Sequence, residues 1–507
     1  MKTILKSGLA LLLVLMMLIP VLASCNGSKD SGITPTGTGK SGETEAPTTN
    51  GNGEEEEVEV LPEVNYDNRV IKILMRDYDY YVHDMEIEDE LINQGKANKV
   101  DEQVYYRNRA VEKRLGVLLK VDRQSGNGNV LDAAGVRNLL NDGTYDLIAD
   151  HGRGLFTYAV EGRFKNWYDL KYVDLTKSWW SQGMISDFTI LDTVWCMTGD
   201  LSYQGIGATV VMTMNKKVLR DLVLDDPYEA VLNGTWTFDM FYEMAAQAKS
   251  NDGSGTDVNP ENGDLTGYMT TQWRGPMTAL YSAGLRAIKV GEDGNLQMTV
   301  NSQKTILLFD DFFRLLNQDN VKIYYGNMPS SYYRTFATGN VLFMDTRLYD
   351  ISKVIENNFL DYGILPWPKY DTEVDEYYAW VDAVANVFGV PLGKSEEDYE
   401  CISAVLEALA AEGHRRVIPA FYEDTIQKKF AQDSNSFRAL ELIRAGRVYD
   451  LASYMSKDLG TLSSVGYTIA GMKTQSYSEW WSTNGSGLQG KVDQLNTELK
   501  KLIATKY

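Results

Sequence analysis

Predicted strands and helices alternate along the chain after residue 66, and this alternation constrains the fold more than any other feature of the sequence. Short apolar runs indicate strands, and longer segments with one apolar face indicate helices. The predicted strands are 70–75, 117–121 and 145–149, and the predicted helices are 131–141 and 101–115, which ends at Gly116. Strand–helix–strand–helix–strand order is typical of a parallel sheet with helices on both faces.

The rest of the chain continues this mixture of elements. Predicted strands are 208–214, 341–344 and 383–390; predicted helices are 216–224, 238–248, 305–317 and one that follows a capping box at 395–398; and 286–300 is predicted to be a hairpin. A last amphipathic helix carries the apolar stripe Leu488, Val492, Leu495, Leu499 and Leu502. Because this stripe covers barely two heptads, we expect it to pack on its own domain rather than on a partner helix.

The N-terminus has the pattern of an export signal. Two lysines precede an apolar run over 9–22, which is shorter than the roughly 20 residues that a membrane-spanning helix needs. The run ends in Leu22-Ala23-Ser24-Cys25, which resembles the lipobox of bacterial lipoproteins. The resemblance implies a signal peptide over 1–24 and a lipid-modified Cys25 that anchors the protein to the membrane. An ordinary signal peptide with a chance cysteine is the alternative.

Residues 25–60 are predicted to be a disordered tether. Gly, Ser, Thr, Asn and Pro dominate most of this segment, and no hydrophobic periodicity would let it bury a core. A flexible chain of this length reaches about 30 Å, so it would hold a folded body above the outer face of a cell membrane. Export would permit a disulfide between Cys196 and Cys401, and two buried free thiols are the alternative.

Composition excludes several classes of function. The formal net charge of −21 argues against binding to nucleic acid or to an anionic membrane surface through charge. Three cysteines and three histidines leave no room for a Cys/His zinc cluster, so we expect no metal site. The sequence contains no P-loop, dinucleotide fingerprint or nucleophile elbow, and we expect neither a cofactor nor enzymatic activity.

Six segments, in this order and spacing, resemble one family. They are 101–109 (DEQVYYRNR), 145–152 (YDLIADHG), 211–216 (VMTMNK), 234–238 (GTWTF), 336–344 (FATGNVLFM) and 364–371 (ILPWPKYD). From residue 66 the chain resembles extracellular solute-binding proteins of ATP-driven (ABC) carbohydrate importers, in the maltodextrin-binding-like branch. It departs from the family pattern at Thr213-Met214, where an aromatic residue is usual, and at Thr237, where an acid is usual.

The resemblance implies an α/β protein with the two-lobed periplasmic-binding-protein-like fold of type II, in which helices flank parallel sheets and a hinge joins the lobes. By motif, lobe 1 comprises 66–195 and 383–440, and lobe 2 comprises 205–378 and 441–507. The hinge would lie near 195–203 and 378–383. A ligand would bind in the cleft, where the carboxyl ends of strands face a crevice.

The resemblance also implies candidate ligand-binding residues. A sugar site needs aromatic rings for the apolar faces and fixed polar groups for the hydroxyls, and the chain is rich in both, with 31 Tyr and 10 Trp. Mapped onto loops at strand ends and at the hinge, the candidates are Asp77, Tyr80, Asp150, His151, Arg153, Trp195, Trp273, Asp345, Arg347, Tyr349, Trp380 and Asp382.

The expected function is that of a membrane-anchored, monomeric receptor that captures a sugar or oligosaccharide and delivers it to an ABC permease. The acidic balance of the chain favours a neutral ligand over a polyanion. One alternative is a surface lipoprotein that binds a peptide or another solute without transport. A second alternative is a surface glycan hydrolase, since pairs of acids occur throughout the chain.

Overall fold

A computed structural model describes residues 57–77, 83–125, 142–249, 258–326, 328–329, 331–355, 360–423, 433–471 and 476–506. The predicted signal peptide, Cys25, the predicted tether up to residue 56, Tyr80 and the helix predicted over 131–141 lie outside the described residues. Within the described residues, no helix is both long enough and apolar enough to cross a membrane.

Thirteen strands are described. They are β1 (Arg69–Asp77), β2 (Val117–Ser125), β3 (Leu147–His151), β4 (Val210–Asn215), β5 (Thr266–Thr271), β6 (Ile288–Val290), β7 (Leu296–Met298), β8 (Val321–Tyr324), β9 (Val341–Arg347), β10 (Tyr362–Leu365), β11 (Ala379–Trp380), β12 (Asn386–Gly389) and β13 (Arg447–Val448). One sheet has the order β12-β3-β1-β2, and a second has the order β10-β4-β9-β5-β8. The predicted hairpin is confirmed as the antiparallel pair β6–β7, and β11 pairs with β13.

Helices pack around both sheets. The described helices are Asp89–Asn93, Lys99–Leu115, Gly152–Ala159, Gln182–Phe188, Gln204–Gly207, Lys216–Asp221, Pro227–Leu232, Phe238–Gln247, Arg274–Ser282, Gln303–Leu316, Tyr332–Ala337, Ile351–Ile355, Glu396–Glu412, Ile418–Ala420, Ser434–Ala445, Leu451–Tyr454, Ser456–Leu459, Val465–Gly471 and Tyr477–Lys506. The helix predicted over 101–115 is confirmed as Lys99–Leu115, which begins two residues earlier than predicted. Asn98 and Asp101 form a capping box at its start, and Gly116 ends it at φ 63° in the left-handed region, where glycine carries no Cβ penalty.

Both sheets are mixed, which corrects the expectation of parallel sheets. β1 runs parallel to β2 and β3, but β12 runs antiparallel to β3. In the second sheet β4 runs antiparallel to both β9 and β10, while β9, β5 and β8 are parallel. A strand that is buried on both faces shows the same apolar pattern in either direction, so the sequence could not settle strand direction.

The second sheet also contains three strands that the sequence analysis missed, β5, β8 and β10, of which β5 is the longest. β5 has the sequence TGYMTT, and all six of its residues are buried. Its three threonines are β-branched and suit a strand, but they break the apolar run that marks a buried strand. Their hydroxyls are buried because they find acceptors, as Thr270 does at Asp345, 2.6 Å away.

The C-terminal helix packs on its own chain, as expected. Leu488, Val492, Leu495 and Leu499 are buried, and the helix contacts β7 and the helix Gln303–Leu316. The side chain of Asn496 pairs with the backbone of Leu296, accepting from its N–H at 2.7 Å and donating to its carbonyl at 2.9 Å.

Two segments pack differently from what the predicted boundaries of the tether and of lobe 1 imply. The lobe boundaries themselves remain a prediction. Glu57 and Glu59, within the predicted tether, are held against the body, because Ser178 donates to Glu57 and Arg415 donates to Glu59 at 2.8 Å and 3.0 Å. The helix Ser434–Ala445, most of which was assigned to lobe 1, packs on β10 of the second sheet.

Cys196 and Cys401 are both buried free thiols.

Candidate functional site

Two extended segments cross between the sheets and hold each other by backbone hydrogen bonds. Asp382 N–H donates to the carbonyl of Ala208 at 3.1 Å, and Thr209 and Val381 form an antiparallel bridge. A third segment joins them, since Val381 N–H donates to the carbonyl of Val448 at 3.0 Å. Residues at the ends of β9, β11 and β12 are therefore brought to one place.

A cavity of about 400 Å³ lies at this crossing. Its wall is formed by residues that follow or precede strands of both sheets and by short helices near the C-terminus. Arg153 follows β3 and Val384 precedes β12, whereas Trp273 and Met277 follow β5 and Arg347 ends β9. The other lining residues are Trp380 and Asp382 at the crossing and Ser453, Ser463, Ser464 and Tyr467 between 451 and 471. Five of these are candidates from the sequence: Arg153, Trp273, Arg347, Trp380 and Asp382. A ligand crevice at strand ends is the usual site in open α/β folds.

Two tryptophans form the aromatic wall of this cavity. The rings of Trp273 and Trp380 meet edge to face, with centroids 6.1 Å apart and planes at 79°. Trp380 is buried and rests on Tyr281, 5.5 Å away, whereas Trp273 is half-buried. The Nε1–H of Trp380 has no hydrogen-bond acceptor among the described residues. The wall thus offers the ring surface that sugar binding requires.

Arg347 is fixed by carboxylates on two elements. Its Nε donates to Asp350 at 2.9 Å, and its Nη1 donates to Asp382 at 3.2 Å. The guanidinium carbon also lies 4.6 Å from the centre of the Tyr349 ring. Burial opposes its charge, but the nearby carboxylates and the Tyr349 hydroxyl outweigh burial and raise the pKa of Arg347 well above its usual value. Arg347 is therefore a permanent, oriented cation in the cavity wall.

Arg153 lies in the first turn of the helix Gly152–Ala159, directly after β3. Glycine is required at position 152 because a Cβ there would overlap the ring of Tyr454. The Arg153 side chain is exposed, and its guanidinium makes no hydrogen bond or ion pair with any described residue. Its five donors are consequently open to a ligand.

His151 supports Arg153 rather than the cavity. Its Nδ1 accepts the Arg153 backbone N–H at 3.2 Å and so caps the helix. Burial lowers the pKa of His151 well below 6.5, and the charges of Arg76, Arg153 and Arg347 lower it further. The imidazole is neutral at physiological pH, which its role as an acceptor requires.

The remaining sequence candidates lie elsewhere in the described structure. Asp77 is exposed at the end of β1, whereas Asp150 is buried in β3, where it accepts the N–H of His151 at 2.7 Å. Trp195 is buried, and its carbonyl accepts from Trp167 at 3.1 Å. Tyr349 lies under Arg347, as described above. None of these four residues is among those that line the cavity within the described part of the chain.

Asp345 lies behind the cavity wall in a buried polar network. It accepts hydrogen bonds from Thr270 at 2.6 Å, Tyr268 at 2.7 Å and Tyr332 at 3.1 Å, and Arg274 lies 3.8 Å away. Burial raises the pKa of Asp345, with Arg274 and the hydroxyl donors opposing it. The network fixes the start of the helix Arg274–Ser282, and hence the position of Trp273.

Sequence reasoning missed the hydroxyl-bearing side of the cavity. Ser453, Ser463, Ser464 and Tyr467 belong to short helical turns between 451 and 471. Tyr467 is positioned by Gln272, which donates to its hydroxyl at 2.6 Å. Serines in a segment of weak periodicity carry no local signal for a site, so only their convergence with the tryptophans identifies them.

Solved structures of substrate-binding proteins share this fold. A cyclo/maltodextrin-binding protein complexed with maltotetraose has a TM-score of 0.51 at 12% identity, over 87% of this chain and 99% of that one. An ABC substrate-binding protein of Listeria monocytogenes in complex with cycloalternan has a TM-score of 0.50 at 11% identity, over 86% and 100%. UspC of M. tuberculosis has a TM-score of 0.50 at 12% identity, over 85% and 100%.

These likenesses show the fold. The chain has the two-lobed, periplasmic-binding-protein-like α/β fold of ABC-type solute-binding proteins, with helices flanking mixed sheets. No protein-family model matches the sequence, and no curated protein matches it significantly.

Proposed function

We propose that this protein is the extracellular receptor of an ABC-type importer, which captures a sugar or oligosaccharide in the cavity between its two sheets. One observation carries the proposal: the tryptophan pair, two guanidinium groups, a carboxylate and several hydroxyls, drawn from distant parts of the chain, converge on one cavity. Aromatic faces with oriented polar groups are what a saccharide needs. The shared fold with solved sugar-binding proteins supports the same conclusion.

Closure of the lobes about the crossing segments would bury the ligand, and a permease would recognise the closed form. The hydrogen bonds between Asp382 and Ala208 and between Val381 and Val448 join the segments that would bend. Lipid attachment at Cys25 would keep the receptor beside its permease as a monomer on the outer face of the membrane.

The cavity chemistry favours binding over glycan hydrolysis. Of the described residues that line the cavity, Asp382 alone carries a carboxylate, and Arg347 holds it. Hydrolysis by the usual route uses two carboxyl groups that flank the scissile bond. We therefore place the hydrolase alternative below the receptor.

A thermal-shift screen of the purified protein against mono- and oligosaccharides tests the proposal. A ligand at about 100 times its Kd adds about 2.7 kcal/mol to stability, which raises the melting temperature visibly. We expect a response from one linkage series and a loss of that response in Trp273→Ala. A flat panel with folded protein would contradict saccharide binding and would direct the screen to peptides and other solutes.

A further inference from the structure

We propose that the saccharide carries a carboxylate, as a uronic acid does, and that Arg153 binds it. The inference rests on the proposed function and deepens it by naming the substrate class. Arg153 and Arg347 both line the cavity, with Asp382 as the carboxylate opposite them. Arg347 is already satisfied by Asp350 and Asp382, whereas Arg153 has no such partner among the described residues.

An unpaired guanidinium in a binding cavity selects a particular kind of group. Its planar fork of donors matches the two oxygens of a carboxylate, which it binds through two parallel hydrogen bonds. Asp382 does not hold Arg153: its Oδ2 accepts from Arg347 at 3.2 Å, its Oδ1 accepts the N–H of Val384 at 3.2 Å, and no ion pair joins it to Arg153 among the described residues. The carboxylate that completes the site must come from the ligand.

The local field has the opposite sign to that of the whole chain. The formal charge of the protein is −21, which by itself favours a neutral ligand. Around His151, however, the charges of Arg76, Arg153 and Arg347 converge and lower the pKa of the imidazole below its usual value, in addition to the effect of burial. Three cations therefore act at this end of the cavity, and an anion is favoured there.

The aromatic wall suits the rest of such a ligand. A uronic acid presents an apolar ring face and, at the ring edge, a carboxylate. Trp273 and Trp380 line the cavity and supply the ring surface. The Arg153 side chain is exposed at the cavity. A ligand carboxylate can therefore pair with it without first paying the desolvation cost of an unpaired buried charge.

The decisive experiment compares each uronate oligosaccharide with its methyl ester, which keeps the linkage and ring but removes the charge. Calorimetry on the purified protein should show that one uronate series binds at least about tenfold tighter than its ester. Arg153→Gln should abolish that preference, and Arg153→Lys should retain part of it. Arg334→Gln, which removes an exposed cation from the helix Tyr332–Ala337, should leave it unchanged.

Each other outcome has a defined meaning. Equal binding of uronate and ester, or binding confined to neutral sugars, would overturn this inference and leave the receptor proposal standing. Tighter binding of sulfated than of carboxylated oligosaccharides would overturn the carboxylate assignment. If no saccharide binds to the folded protein, the receptor proposal itself fails and this inference fails with it.

Discussion

Arg347 at the end of β9 donates through Nη1 to Asp382 in the segment that leads to β12, over 3.2 Å. This contact joins the second sheet directly to the crossing that connects it with the first. Because both side chains also line the cavity, one ion pair links the second sheet to the crossing and forms part of the cavity wall.

Removing the Arg347 charge should destabilise the fold. Arg347→Met removes the cation that pairs with buried Asp382, whereas Asp350 still pairs with Lys353 at 3.4 Å. We expect the free energy of unfolding to fall by about 3–5 kcal/mol. Urea denaturation measures it, and the exposed Arg334→Met should change stability by less than about 0.5 kcal/mol. Equal urea midpoints for Arg347→Met and Arg334→Met would show that the Arg347–Asp382 ion pair does not stabilise the fold.

The half-buried Trp273 should dominate ligand affinity. Trp273→Ala removes an aromatic face of the cavity, and we expect an affinity loss of about 2 kcal/mol, or roughly thirtyfold. Trp273→Phe should retain part of the affinity because it keeps a ring. Calorimetry with the ligand found in the screen measures the effect. The matched control is Tyr168→Ala, an aromatic that is 48% exposed away from the cavity, and an equal loss there would refute the assignment.

Glu407 should make stability fall with rising pH. Burial raises its pKa to about 7, although the indole N–H groups of Trp180 and Trp179 and the N–H of Asp174 oppose this. Since the folded pKa exceeds the unfolded value of 4.5, the protonated form favours folding. The contribution is complete below pH 4.5 and is lost as the pH rises to about 7, on the order of 3 kcal/mol in all.

Glu407→Gln isolates this contribution. The amide cannot ionise, so the slope of stability between pH 5 and 8 should disappear. Its NH2 replaces one of the two oxygens that accept from the indoles of Trp179 and Trp180, so the variant should be less stable than the protonated parent. Urea midpoints across that range measure the slope. Glu397→Gln, on an exposed position of the same helix, should retain the parent's slope, and an unchanged slope in Glu407→Gln would exclude Glu407 as its source.

Gly152→Ala should damage binding through the position of Arg153. The added methyl group overlaps the Tyr454 ring, so the helix Gly152–Ala159 or the ring must shift. We expect a lower melting temperature and weaker ligand binding together. Gly490→Ala, where a Cβ meets nothing within 4 Å, is the control and should affect neither. Unchanged binding in Gly152→Ala would show that this close approach does not position Arg153.

Cys25→Ala should release the protein from the membrane. The anchor rests on the lipobox resemblance of Leu22-Ala23-Ser24-Cys25, and thioether formation requires the cysteine sulfur. Fractionation of cells that express each form, with mass analysis of the N-terminal peptide, measures both attachment and modification. An unmodified Cys25 in the parent protein would identify an ordinary signal peptide instead.

Local patterns predicted much of the fold. The helix Lys99–Leu115 begins and ends where its caps place it, and the capping box Ser395/Asp398 starts the helix Glu396–Glu412. The helix predicted over 238–248 is confirmed as Phe238–Gln247, although Thr237 before it makes no capping hydrogen bond through its side chain. The strand predicted over 383–390 is shorter, since only Asn386–Gly389 pairs in the sheet. Helices and strands can be predicted from residues that are near one another in the sequence, whereas the pairing of strands in a sheet cannot.

The candidate site was predictable where side chains follow strands. Arg153 follows β3 and Arg347 ends β9, and the end of a strand that faces a crevice is a place to look for ligand contacts. Position alone could not separate Arg347 from Asp345, two residues earlier on the same strand. Asp345 is buried among Tyr268, Thr270 and Tyr332, and that environment depends on β5 and a distant helix.

The sequence by itself determined the alternation of strands and helices, the ends of the capped helices and the aromatic and polar residues available at strand ends. Tertiary structure alone decided the direction of the strands, the pairing of Arg347 with Asp382, and the arrival of Ser453 and Tyr467 beside Trp273. The physical reason is range: propensity and periodicity act over a few residues, whereas a binding cavity is made by groups that become neighbours only when separate elements pack.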